Sequence, residues 1–284
     1  MKIERFFPER YRRPVRRTHR MLQDVWFHLE NGAPWRLVIV VGSSYRVGST
    51  WLFLLLRKVA HCRSGVTRAP GELNRFGALV LCPEAYDYLH RLQGYAIFKT
   101  HSLPPGSAAL AGNAKFVSVY RDPRDVLVSA SFFFAYLGEE KGGWPESFRQ
   151  LSAQERIQLL IKGRSELPIL PTLEAWFRTP FAYKTRFEDL KRQPAEELGK
   201  ILGYIGISTT GVSIEEAILR HSFEAGSGRR PGEAREDHPL RKGVVGDWRN
   251  YFDRACIDAF RTEQNGHWNQ LLLDMGYESS PDWT

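Results

Sequence analysis

Apolar residues follow two rhythms along this chain. A continuous run at 38–41 stops at Gly42, small and polar residues follow, and the pattern then turns helical at Leu52-Phe53-Leu54-Leu55-Leu56-Arg57-Lys58. The run predicts a strand over about 36–41, and the helical period predicts a helix over about 49–62. Shorter strands are predicted at 96–99, 115–120 and 182–187. The first of these runs into the turn Thr100-His101-Ser102-Leu103-Pro104-Pro105-Gly106, and the second ends in Arg121-Asp122-Pro123-Arg124-Asp125. Pro123 suits the first turn of a helix continuing through 126–136. Helical periods also mark 153–163, 167–178, 195–205, 214–221 and 253–275. Another lies at 21–29, before the breaker Asn31-Gly32-Ala33-Pro34. Gly, Arg, Glu and Pro crowd 226–241, which reads as a long loop.

Strands alternating with helices imply an α/β fold, a single domain with a central, mostly parallel sheet flanked by helices. Ligands of such sheets bind at the carboxyl ends of the strands, where the polar turns lie. The expected organisation is a basic arm and helix over 1–30, then one domain over 31–284.

The stretch from Gly42 to Thr50 changes this picture from fold to chemistry. A turn leading into a helix leaves backbone N–H groups at a helix N-terminus, and Ser49 and Thr50 add hydroxyl donors, so an anion site is predicted. A nucleoside triphosphate loop needs four residues between its glycines and a Lys before the Ser or Thr. Here five residues separate Gly42 from Gly48, Ser49 stands at the Lys position, and the cation, Arg46, precedes the second glycine. The loop therefore suits a phosphate ligand other than a magnesium nucleoside triphosphate.

Composition, 43% hydrophobic and 25% charged over 284 residues, allows a sizeable core. Of the net charge of +8, residues 1–20 supply +6, from eight Lys or Arg against Glu4 and Glu9. The remaining +2 argues against a nucleic-acid-coating surface and for no specific nucleic-acid partner. The arm itself reads either as a solvated extension or as a contact for a membrane surface or acidic partner. Cys62, Cys82 and Cys256 are widely spaced and odd in number, which points to a reducing compartment. No run approaches a transmembrane span, and the basic N-terminus lacks the apolar core of a signal peptide, so a soluble, cytoplasmic protein is expected.

Four segments in order carry a resemblance. They are Tyr45-Arg46-Val47-Gly48-Ser49-Thr50-Trp51, Lys99-Thr100-His101-Ser102-Leu103-Pro104, the stretch from Tyr120 through Arg121-Asp122-Pro123-Arg124-Asp125 to Ser129, and Arg241-Lys242-Gly243-Val244-Val245-Gly246-Asp247-Trp248. Together they resemble the soluble sulfotransferases that use 3′-phosphoadenosine 5′-phosphosulfate (PAPS), over about 36–252. Phe187-Glu188-Asp189-Leu190-Lys191 is similar to that family's strand-end segment. The resemblance implies a P-loop-like fold and sulfuryl transfer to a small-molecule hydroxyl or amine. It also implies release of 3′-phosphoadenosine 5′-phosphate (PAP), with no metal required because cations and backbone donors neutralise the charge.

The roles follow by resemblance, each beside a plainer reading. Arg46, with Val47, Gly48, Ser49 and Thr50, takes the loop position where the family has a Lys; otherwise it is an exposed turn arginine. His101 is the general base, with Lys99 on the same face to steady the sulfonate; otherwise the first is structural and the second a surface charge. Arg121 and Ser129 hold the 3′-phosphate; otherwise Arg121 pairs with Asp122 or Asp125 and Ser129 bonds its own helix. Arg241, Lys242 and Gly243 form a second phosphate clamp, with Gly243 admitting close approach. Trp51 and Phe223 stack on adenine or pack in the core. Phe187, where a Tyr often stands, and His221, where the familiar members have Thr, leave the adenine contacts open. Without an evident dimerisation motif, so is the oligomeric state.

Phe132, Phe133, Phe134, Tyr136, Trp144 and Phe148 either line an apolar acceptor pocket or fill the core, and Glu139 and Glu140 would attract a cationic acceptor. Two competing functions remain. One is a nucleotide kinase or NTPase with Asp122 as the magnesium-linked carboxylate; the other is a polyanion-binding module acting through the basic arm.

Overall fold

The computed structural model describes residues 37–64, 71–75, 77–112, 114–137, 144–163, 167–208 and 213–283. The predicted helix at 21–29, its breaker, the basic arm, and Glu139 and Glu140 lie outside them.

Among the described residues five parallel strands form the central sheet: β1 (Leu37–Gly42), β2 (Arg63–Ser64), β5 (Tyr95–Thr100), β6 (Lys115–Tyr120) and β7 (Ala182–Arg186), in the order β2-β5-β1-β6-β7. Between β2 and β5 a two-stranded antiparallel ribbon, β3 (Asn74–Arg75) and β4 (Ala78–Leu79), precedes helix α2 (Pro83–Arg91). The apolar runs are continuous because both faces of the sheet are covered. Ile39, Val41, Ile97, Val117 and Val119 face one core, with Leu52 and Leu55 of α1 (Ser49–Val59). Val38, Val40, Ala96, Phe98 and Phe116 face the other, with Leu89 of α2.

Helix α3 (Pro123–Leu137) follows β6, as Pro123 predicts, and α4 (Glu146–Arg149), α5 (Ala153–Ile161) and α6 (Ile169–Arg178) complete the middle of the chain. After β7 come α7 (Phe187–Arg192), α8 (Pro194–Ile205), α9 (Ile214–Arg220), α10 (Phe223–Ser227) and α11 (Arg254–Asp274). Gly42 does more than end a strand. A Cβ there would stand 2.1 Å from the Trp176 ring of α6, whose Nε1 donates to the Ser102 carbonyl at 2.8 Å. Trp176 thus fastens the turn after β5 beneath the end of β1.

Two expectations need correction. The strand at 182–187 stops at Arg186, because Phe187 turns to open α7. The helix at 253–275 is broken at Glu263–Gly266, where Gln264, Asn265 and Gly266 adopt positive φ. The strand β2 and the ribbon are too short for periodicity to reveal.

Candidate active site

The carboxyl ends of β1, β5 and β6 lie side by side, with Gly42 in register with both Thr100 and Ser118. The four matched segments touch one another at that edge.

The turn after β1 delivers the N-terminus of α1. Its N-cap, Gly48, has φ +99, and a Cβ there would meet the Phe187 ring at 2.5 Å, so both conformation and space require glycine. The helix has no side-chain cap and no acid in its first turn, which leaves its positive end fit for an anion. Arg46 also adopts positive φ, 64°, and its guanidinium is well engaged. Nε donates to Ser129 Oγ at 3.1 Å, Nη2 to the Pro239 carbonyl at 2.6 Å, and the group lies 4.1 Å over Phe133. It is not an exposed turn arginine. Burial, then Arg121 and Arg241, lower its pKa to about 10, so it stays charged at neutral pH.

At the end of β5, Lys99 Nζ donates to Thr50 Oγ1 at 3.1 Å and so reaches the anion loop. Its pKa is lowered, by burial and then by Arg46. The His101 ring stacks on Tyr45 at 4.2 Å, and Nδ1 lies 3.0 Å from the Ser43 carbonyl. A carbonyl only accepts, so Nδ1 carries the proton and Nε2 presents the lone pair. Burial, with Lys99 next, depresses the His101 pKa to about 4, against a smaller upward pull from the Ser43 and Ser44 backbone. The imidazole is therefore neutral at physiological pH.

The segment after β6 divides its two arginines between two tasks. Arg121 points to the edge: Nη1 donates to the Arg46 carbonyl at 3.4 Å, Nη2 to Asp125 Oδ2 at 3.2 Å and to the Val244 carbonyl at 3.0 Å. The plane lies 4.6 Å over Phe187, and Nε is buried with no hydrogen-bond partner among the described residues. Arg121 and Ser129 thus meet through Arg46, one on its carbonyl and one on its side chain. Arg124 turns inward, with Nε and Nη2 on Asp122 at 3.0 and 2.8 Å and Nη1 on Glu278 at 2.7 Å, while Trp248 and Trp283 cover its faces. Asp122, the carboxylate a magnesium-linked kinase would need, is occupied by Arg124.

The loop carrying Arg241, Lys242 and Gly243 closes from the other side. Arg241 pairs with Asp247, donates to Tyr251 Oη at 3.2 Å and lies 4.5 Å over Phe132. Lys242 reaches the same carboxylate at 2.6 Å. Gly243 has φ +65 and a Cβ there would strike the Phe223 ring at 2.4 Å, while its carbonyl accepts from Lys191. Of the two counterions, Asp125 is one of the two partners the sequence offered for Arg121, four residues before it; Asp247 stands inside a matched segment but was not singled out, because nothing local marks it as the partner of both Arg241 and Lys242.

The candidate adenine residues fall into two groups. Trp51 and Phe187 meet edge to face at 6.1 Å beside Gly48, and Trp51 Nε1 is buried with no partner among the described residues. Phe223 sits on Gly243, with Arg229 over its ring at 5.5 Å. His221 caps α9, its pKa lowered by burial and then by Arg220, Arg57 and Lys58.

The predicted acceptor aromatics mostly serve the core. Phe132, Phe134 and Phe148 are buried, and Trp144 packs between the last two. Phe133 carries Arg46. Tyr136 borders a cleft of about 490 Å³ whose wall also includes Phe132, Arg149, Arg156, Glu236 and Asp237. That cleft is charged rather than apolar. Among the described residues no group of three or more His, Cys, Asp or Glu could hold a metal ion, and no helix is long and apolar enough to cross a membrane.

Known proteins resemble both sequence and fold. A family model described as the sulfotransferase domain matches residues 38–264. Rat (Rattus norvegicus) sulfotransferase 1C2 is 27% identical over 199 residues, 63% of this chain and 63% of that protein. Rat sulfotransferase 1A1 is 24% identical over 271 residues, 88% of this chain and 89% of that protein. The crystal structure of mouse sulfotransferase SULT7A1 complexed with PAP superposes with a TM-score of 0.55 at 17% identity, over 85% of this chain and 89% of that one. Retinol dehydratase in complex with androsterone and inactive cofactor PAP gives 0.56 at 20% identity, over 86% and 82%. With the parallel sheet and the four segments gathered at one edge, and a family model matching most of its length, the chain belongs to the sulfotransferase domain family.

Proposed function

We propose that this protein transfers a sulfuryl group from PAPS to a hydroxyl or amine of a small-molecule acceptor, with His101 as general base. The observation that carries the reading is the state of His101: neutral, its Nδ1 proton directed to the Ser43 carbonyl, beside the cations that face the anion loop. PAPS supplies the sulfuryl group and departs as PAP. Gly48, Ser49, Thr50 and the N-terminus of α1 suit its 5′-phosphosulfate, and Arg121 Nε and Trp51 Nε1, without hydrogen-bond partners among the described residues, leave donor capacity beside it.

His101 Nε2 takes the proton from the acceptor as the new bond to sulfur forms. Arg46 and Lys99 balance charge on the transferring oxygens, and Arg46 does so electrostatically because guanidinium holds its proton. Arg121, Ser129, Arg241, Lys242 and Gly243 hold the 3′-phosphate in this reading, with Trp51, Phe187, His221 and Phe223 around the base. Binding to the cations of this edge requires no metal. A cytoplasmic setting, and residues 1–30 as an arm outside the domain, belong to the same proposal. Solved relatives support the cofactor, since two of them hold PAP. The kinase alternative loses its carboxylate to Arg124.

The test is incubation with sulfur-labelled PAPS and a mixed metabolite extract in the presence of a chelator, with products identified by mass. A labelled organic sulfate is expected. A protein that neither binds PAP nor transfers label would refute the reading.

A further inference from the structure

One carboxylate joins the two halves of the candidate 3′-phosphate site. The Asp125 side chain is wholly buried. Its Oδ2 accepts from Arg121 Nη2 at 3.2 Å and from the Gly246 N–H at 2.7 Å, while Oδ1 accepts from the Trp248 N–H at 2.9 Å. Arg121 also donates to the Val244 carbonyl at 3.0 Å, so it touches the loop directly as well as through Asp125. Between the two N–H groups that Asp125 holds lies Asp247, which in turn holds Arg241 and Lys242.

A buried carboxylate has no attraction for phosphate; its negative charge opposes one. Its contribution has to be geometric. We propose that Asp125 is the positioning residue that lets this site tell a nucleotide with a 3′-phosphate from one without it, by fixing Arg121 against the 241–248 loop. The inference rests on the PAP reading above. Two of the three donors on Asp125 are backbone groups, so the carboxylate only partly neutralises Arg121 and leaves it able to meet an anion. Asparagine at 125 would offer one accepting oxygen and turn an NH₂ toward groups that are all donors.

Calorimetry with PAP and 5′-AMP on the parent protein, Asp125→Asn, Arg121→Ala and the double variant tests this, with thermal melting of each. The parent should prefer PAP. In Asp125→Asn, PAP should weaken about tenfold or more while AMP changes about twofold or less, the scale of a lost charged hydrogen bond. In the Arg121→Ala background the same change should add little, because Asp125 acts through Arg121. Equal weakening of both nucleotides, with the preference kept, would assign Asp125 to general stability and overturn the inference alone; a parent without preference would remove the PAP reading and this inference together. Hydrogen exchange on the parent adds a measurement free of any folding defect. The Gly246 and Trp248 amides should exchange more slowly with PAP than with AMP, and equal protection overturns the inference.

Discussion

Arg121 and Arg124 stand three residues apart, yet they have opposite fates. Arg124 is saturated: Asp122 grips it with both oxygens, Glu278 takes its remaining arm, and two tryptophans cover it. Among the described residues Arg121 has one carboxylate, and that carboxylate is divided with two backbone N–H groups; its other hydrogen bonds go to carbonyls, and Nε has no partner. Residue type alone does not separate an arginine locked into the core from one left open to an anion. The number and kind of its counterions do. Arg124 welds the segment after β6 to the end of the chain, and on that rigid base Arg121 keeps charge available at the sheet edge.

The largest effect should come from Arg124. Arg124→Ala strands Asp122 and Glu278 without their cation, and a broken buried pair costs about 3 to 5 kcal/mol. Denaturant melts should show that loss, while the folded fraction keeps its preference for PAP over AMP. A stable Arg124→Ala protein with poor PAP binding would reverse the roles assigned to the two arginines.

His101 should come next, as a site residue that works through neutrality rather than charge. His101→Ala should lower single-turnover rates about 100-fold or more with PAP affinity retained. The parent's pH profile sharpens the point. A pKa depressed to about 4 means that kcat/KM carries no loss from His101 protonation between pH 8 and 5, and falls as pH approaches 4. A fall centred near the ordinary imidazole value would show that His101 is not held as its surroundings imply. The same depression makes folding stability decline as pH drops from the unfolded histidine's value toward 4, since the unfolded chain takes up the proton first.

Arg121→Ala should weaken PAP about tenfold and AMP only slightly, and should lower melting less than Arg124→Ala does, because the buried Asp125 keeps its two backbone N–H donors. Equal loss for the two nucleotides would place the 3′-phosphate elsewhere. The smallest effect is expected from Arg46→Lys. Lysine restores the charge but cannot span Ser129 Oγ and the Pro239 carbonyl at once, so turnover should fall about tenfold or less. A rate as low as that of Arg46→Ala would mean that the guanidinium fork, not its charge, is what the loop requires.

Four of the described strands of the sheet, and its working edge, could be read from the sequence; β2 could not. β1, β5 and β6 could be read because their apolar runs are set by local burial on both faces, and Pro123 marked α3 because its ring suits a first helical turn. Gly243 was legible as a point of close approach, although the ring that lies against it, Phe223, was not; the need for glycine at 48, set by Phe187, came only from the structure. Tertiary structure decided which charges are neutralised. Asp125 meets partners 121 and 123 residues away, and Arg124 meets Glu278 across 154. It also decided that Phe132, Phe134 and Phe148 fill the core, and that Phe187 leaves its strand to lie on Gly48 beneath Arg121. Periodicity and turn chemistry are written among near neighbours in the chain. Arg121 with Asp125 and Arg124 with Asp122 are near neighbours as well, but what else each of these buried groups meets depends on which distant segments the packed core brings against it.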